Sequence, residues 1–159
     1  MKKVFVLFII ALLFVFSSCA SSESKTSNFE HTCTIEIRCE EALASSLLSA
    51  EKRELLPENG MIISKCEVGF SDGESAFDVL LREIKSRKIH IDFTENPAYN
   101  SKYIRAVANL YEFDCGENSG WLYYVNGKSP DVSYNQYILN HGDAITLSYT
   151  EDWSKIYNS

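Results

Sequence analysis

The stretch Gly120-Trp121-Leu122-Tyr123-Tyr124-Val125-Asn126-Gly127 constrains the fold of this chain most. Five bulky β-formers follow a glycine, and the run closes on Asn-Gly, the strongest short-range signal for a tight turn joining two strands. In an extended strand Trp121, Tyr123 and Val125 face one way and Leu122 and Tyr124 the other, so both faces carry rings. Only one of Trp121 and Tyr124 can enter the core, which leaves the other for contact. Tyr134 and Tyr137, a few residues on, extend the same aromatic region. Amphipathic rings bury a large area at low entropic cost, which suits recognition of a flat ligand, a glycan or a protein. Trp121, Tyr123, Tyr124, Asn126, Tyr134 and Tyr137 are therefore the candidate ligand-contact residues.

The N-terminus points to the compartment. Lys2 and Lys3 precede an apolar run from Val4 to Phe16, long enough for a signal-peptide core and too short for a membrane span. The run ends in Phe16-Ser17-Ser18-Cys19, which resembles the lipobox of bacterial lipoproteins, with phenylalanine where leucine is usual. This predicts a signal peptide over 1–18, lipidation at Cys19, and a protein anchored on the extracytoplasmic face of the cell envelope. Residues 19–30 are small and polar, too poor in apolar surface to fold. They read as a tether reaching about 35–40 Å when extended. Cleavage leaves 13 basic against 22 acidic residues, a charge of −9. Without a cluster of Lys and Arg, nucleic acid is excluded as a partner and the membrane is met through the lipid alone.

The remaining chain suffices for one small domain, expected over 31–152 with a tail at 153–159. His31–Cys39 alternates, with Cys33, Ile35, Ile37 and Cys39 on one face, as a half-buried strand does. Glu40–Leu56 is mixed, with Ala42, Leu43, Leu47 and Leu48 at loosely helical spacing. Ile62, Cys66, Val68 and Phe70 share one face of a second strand that pairs with the first. Ser71 and Glu74 fit a capping box ahead of a helix whose apolar stripe is Phe77, Leu80, Leu81 and Ile84. Ile89, Ile91 and Phe93 form a third strand. Tyr103–Phe113 gives one strand or two short ones, and Ile145, Leu147 and Tyr149 the last. The order predicts an α+β fold of the β-grasp type, a mixed sheet packed on one main helix.

Catalysis finds little support. Gly69-Phe70-Ser71-Asp72-Gly73 matches Gly-x-Ser-x-Gly between a strand and a helix, but that elbow belongs to a multi-crossover parallel sheet this domain is too short to build. The capping role explains Ser71 and Glu74, and His31, His90 and His141 are widely spaced solvent-face positions. The reading is a non-enzyme. Cys33, Cys39, Cys66 and Cys115 remain after Cys19 and allow two disulfides in three connectivities. None shows the close spacing of a zinc knuckle, so no metal site is expected. A sulfur-carrier role is disfavoured because the chain ends Tyr157-Asn158-Ser159 and not Gly-Gly.

Four motifs together resemble one family. They are Phe70-x-x-Gly73-Glu74-Ser75-x-Phe77-Asp78-Val79-Leu80, Asn109-Leu110-Tyr111-Glu112-Phe113-Asp114-Cys115-Gly116, Gly120-Trp121-x-x-x-Val125-Asn126-Gly127, and Leu139-x-x-Gly142-Asp143-x-Ile145. The chain over roughly 33–150 is similar to the transcobalamin C-terminal-like domain, a β-grasp module of bacterial surface proteins. In animal cobalamin carriers the similar domain forms half of a clamp on the vitamin. The resemblance implies a non-catalytic binding module with no resident cofactor, its ligand cobalamin or a related corrinoid. The alternative is an extracellular protein- or glycan-interaction module. It also implies that Cys115 staples the end of the first strand through Cys39. Cys33 and Cys66, on core faces of neighbouring strands, would form the second bridge.

Overall fold

The computed structural model describes residues 29–154. The elements are β1 (His31–Arg38), α1 (Glu40–Ala44), α2 (Ala50–Glu54), β2 (Met61–Phe70), α3 (Ala76–Ser86), β3 (Ile91–Asn96), β4 (Ser101–Val107), β5 (Leu110–Tyr111), β6 (Gly120–Val125) and β7 (Ala144–Thr150). They make a mixed α/β protein with two sheets and few helices. One sheet runs β2-β1-β7-β6 and the other β3-β4-β5. β1 pairs antiparallel with β2 and parallel with β7, and β7 pairs antiparallel with β6. The expected signal peptide, the expected lipidation site at Cys19 and the chain end lie outside the described residues. Among the described residues no helix is long and apolar enough to cross a membrane.

Alternation in the sequence becomes a buried inner face. Cys33, Ile35 and Ile37 of β1, Ile145, Leu147 and Tyr149 of β7, and Trp121, Tyr123 and Val125 of β6 join Phe77, Val79, Leu80 and Ile84 of α3 in one core. The even-numbered β1 residues Thr34, Glu36 and Arg38 stay half-exposed on the outer face. β2 departs from the expected phase. Opposite Ile35 and Ile37 stand Cys66 and Ile63, three residues apart, so an irregularity inserts an extra β2 residue. Because side-chain direction has period two, that residue flips the parity, and Ile63 is buried in place of Ile62.

The helix cap also moves. Ser75, not Ser71, is the N-cap of α3: its hydroxyl accepts from the Asp78 N–H, and the Ser75 N–H donates to Asp78 Oδ2 at 3.0 Å. Ser71 and Glu74 close a separate turn, with Ser71 N–H donating to Glu74 Oε2 at 2.7 Å and Glu74 N–H to the Ser71 carbonyl at 3.2 Å. Gly73, at φ +82°, ends that turn before the helix can start. Pairing of Ser75 with Ile138 then holds the cap in place.

Asn126 and Gly127 adopt φ 53° and 76°, as a tight primed turn requires. Beyond the turn only Lys128 bridges back to Val125. β6 pairs instead with β7, and residues 128–143 fold irregularly over its inner face. Tyr103–Phe113 resolves into β4 and β5, joined by Ala108 and Asn109, both at positive φ. At the other end of the domain, the Trp153 N–H donates to the Asn118 carbonyl at 2.9 Å.

Candidate functional site

Most of the predicted contact aromatics are core. Trp121 is 1% exposed; its indole N–H donates to the Leu110 carbonyl at 3.0 Å and its ring meets Tyr149 edge-on, centroids 5.2 Å apart. Tyr123 and Tyr134 stack at 4.2 Å. The Tyr123 hydroxyl donates to the Val132 carbonyl, and the Tyr134 hydroxyl to the Trp121 carbonyl at 3.2 Å. Burial pushes the Tyr123 hydroxyl up to about 12 and holds that of Tyr134 well above the ordinary tyrosine range. These three rings cannot present themselves to a ligand, because the 128–143 segment closes over the inner face of β6.

Asn126 and Tyr137 serve the same closure. Asn126 Nδ2 donates to Asp143 Oδ1 at 2.7 Å, while its Oδ1 accepts from the Ala144 N–H at 2.9 Å. Asp143 is nearly buried and also accepts from the Asn140 N–H at 2.9 Å and, at 3.5 Å, from Tyr137. The Gly142-Asp143 motif thus clamps the Asn126 turn to the start of β7. Tyr137 remains half-exposed.

Of the predicted set, Tyr124 and Tyr137 are half-exposed and Asn126 is exposed, and Tyr124 alone among them lies on the outer sheet face. It projects from the outer face of β6 beside Leu122, both half-exposed. The register carries this face across the sheet: Tyr124 lies opposite Thr146, and Thr146 beside Glu36; Leu122 lies opposite Ser148, and Ser148 beside Arg38. Burial raises the Tyr124 hydroxyl above its ordinary range, Glu41 adds to the rise, and Arg38 opposes it. Arg38 Nε is buried and has no hydrogen-bond partner among the described residues. Sequence reasoning missed Arg38; its place at the outward end of an alternating strand was the available signal.

The four cysteines described are all free. Cys33 pairs with Val68 and Cys66 with Ile35, so the expected Cys33–Cys66 partners sit diagonally. Diagonal neighbours stand about 7–8 Å apart, beyond the Cβ reach of a disulfide. The Cys66 sulfur accepts from Arg87 at 3.6 Å. Cys39 and Cys115 share the core and interact electrostatically, yet Cys115 is engaged by Ser45 and Tyr149. Burial pushes the Cys33 thiol up to about 11 and that of Cys39 up to about 12.

The histidines are less scattered than their spacing suggests. His31 Nε2 lies 2.7 Å from Asp72 Oδ1, and the His31 and His141 rings are 6.0 Å apart. His90 stands apart, against Tyr111 at 5.7 Å. Glu30, His31 and Asp72 direct ligand-type atoms to within 4.8 Å of one another, a grouping that their spacing in sequence does not reveal. Surface hollows lie elsewhere, at the β3–β4 turn by Glu95, Pro97 and Lys102, beside Leu43, Arg53 and Leu56, and beside Phe113 and Gly116.

Comparison with known proteins places this architecture. A family profile described as a domain of unknown function (DUF4430) matches residues 73–151. Among solved structures, a protein from Ruminococcus gnavus ATCC 29149, provisionally described as metal binding, is similar at 17% identity with a TM-score of 0.51, covering 78% of this chain and all of that one. Haptocorrin in complex with Cbi is similar at 12% identity with a TM-score of 0.50. That likeness covers 79% of this chain but 26% of haptocorrin, so the chain spans about a quarter of that protein's length. No curated protein sequence matches the chain. At these identities the likeness establishes a shared fold.

Proposed function

We propose that the chain is a non-catalytic β-grasp binding module, anchored by lipid on Cys19 at the extracytoplasmic face of the envelope, whose outer sheet face takes a corrinoid. One observation carries this reading: Tyr124 stands half-exposed on the face that also holds Arg38, whose buried Nε has no partner. A corrinoid is a flat ring fringed with amides. An amide oxygen would accept from the guanidinium of half-exposed Arg38, while the Tyr124 ring covers the macrocycle edge. The β-grasp reading is supported by the parallel β1/β7 pair at the centre of the four-stranded sheet and by α3 closing its inner face. Haptocorrin, solved with Cbi, supports a corrinoid as the first ligand to test. The non-catalytic reading is supported by Ser71, whose backbone is held in the turn with Glu74.

Calorimetric titration of the purified protein with cyanocobalamin and with cobinamide tests the proposal. Tyr124→Ala and Arg38→Gln should each weaken binding about tenfold, the loss of roughly 1.4 kcal/mol. No heat with either corrinoid at millimolar concentration refutes it. The alternative, a protein- or glycan-binding module, draws on Leu47 and Phe113, which are 62% and 59% exposed.

A further inference from the structure

Two turns and a strand start meet at one end of the four-stranded sheet. β1 opens with His31 directly opposite Phe70 of β2, so the turn that follows β2 carries Asp72 back over the beginning of β1. The turn before β7 is pinned to the same place, with the Gly142 N–H donating to the Thr32 carbonyl at 2.8 Å. Residues 41 positions apart in sequence thereby put an imidazole nitrogen 2.7 Å from a carboxylate oxygen. Glu30 adds a second carboxylate, and all three ligand atoms lie within 4.8 Å of one another.

The charge at this point is unbalanced. Two carboxylates face one imidazole, and among the described residues neither Glu30 nor Asp72 has a Lys or Arg partner. Most other acids in ion pairs here meet Lys or Arg, as Glu74 meets Arg82 and Asp114 meets Lys52. Around a tetrahedral zinc ion with bonds of about 2.0–2.1 Å, neighbouring ligand atoms stand about 3.3 Å apart. The His31–Asp72 separation needs only a small opening to reach that spacing. His141 is not part of the ligand set, because its Nδ1 already accepts from the Thr32 N–H at 3.2 Å.

We propose that Glu30, His31 and Asp72 form a surface site for a divalent transition-metal ion, with water completing the coordination. The imidazole decides the class of ion, since nitrogen favours zinc, cobalt, nickel or copper, whereas calcium and magnesium prefer an all-oxygen shell. The site lies on the strand ends, away from the Tyr124 face, and stands independently of the corrinoid reading. Ligation needs the imidazole unprotonated, so protons compete with the metal and binding weakens in acid.

The test is titration of the full mature lipoprotein, purified in detergent, with zinc chloride followed by calorimetry. One zinc ion should bind per chain, and His31→Ala and Asp72→Asn should each lower the affinity at least tenfold. His141→Ala should leave it within a factor of about three, and calcium should bind far more weakly than zinc. All three variants alter exposed or half-exposed side chains, and their circular dichroism should match the parent. As a second readout, Co2+ should broaden the His31 ring protons and leave those of His90 sharp. Absence of zinc binding at millimolar concentration, binding unchanged by His31→Ala, or broadening at His90 in place of His31 overturns the proposal.

Discussion

Replacing Trp121 by phenylalanine separates a core residue from a contact residue. Trp121 lies on the inner face of β6, its indole N–H bonded to Leu110 and its ring set against Tyr149. Phenylalanine keeps part of the aromatic fill but removes the donor, worth about 0.5–1.5 kcal/mol net, and about three ring atoms on the far side of the indole. Those atoms leave a gap that closed packing can fill only in part, adding about 1–2 kcal/mol. The expected loss is therefore roughly 2–3 kcal/mol, with an unchanged urea m-value because the native and unfolded surfaces hardly differ. Urea unfolding followed by far-ultraviolet circular dichroism reads this directly. Tyr124→Phe, on the outer face, should stay within about 0.5 kcal/mol in the same assay. Equal effects, or the reverse order, would refute the assignment of Trp121 to the core and of Tyr124 to the surface.

Further outcomes follow from the cap and from the buried thiols. Ser75→Ala should cost about 1 kcal/mol by removing the acceptor for the Asp78 N–H, while Ser71→Ala should change stability by less than about 0.5 kcal/mol; thermal melts of both decide which serine caps α3. Cys33 and Cys39, pushed up to about 11 and about 12 by burial, keep their protons in the folded state while the unfolded chain loses them near 9. The unfolded state then binds fewer protons, so stability falls as pH rises from about 9 to about 11 for Cys33 and to about 12 for Cys39, by up to about 1.4 kcal/mol per unit for each thiol. Denaturant midpoints across that range, with Cys39→Ala flattening the slope, check the sign. Thiol titration without reductant should find Cys33, Cys39 and Cys115 reactive only after unfolding.

The strands were legible because their side chains obey a local rule. Residues 32–38 and 144–149 alternate, and the structure buries the alternating set. The phase of β2 was not legible, since an extra residue opposite β1 leaves no mark in the hydrophobic pattern. The cap was misplaced for a related reason. Both Ser71-x-x-Glu74 and Ser75-x-x-Asp78 satisfy the same local chemistry, and the choice is made by Gly73 and by the bridge from Ser75 to Ile138, 63 residues later. Asp143 was visible as part of a turn but not as the acceptor that joins Asn126, Asn140 and Tyr137.

By itself, the sequence determined which segments extend, which one forms an amphipathic helix, and that Trp121 and Tyr124 must project to opposite sides of one strand. Those properties depend on neighbours a few residues apart, through the two- and 3.6-residue periods of the backbone. Which side of β6 is covered was decided by the 128–143 segment folding over it, and no local pattern encodes that. The free thiols, the orphaned Arg38 Nε and the meeting of Glu30, His31 and Asp72 are likewise products of register between distant strands. Shifting the pairing by one residue would leave every local propensity satisfied and disperse all three.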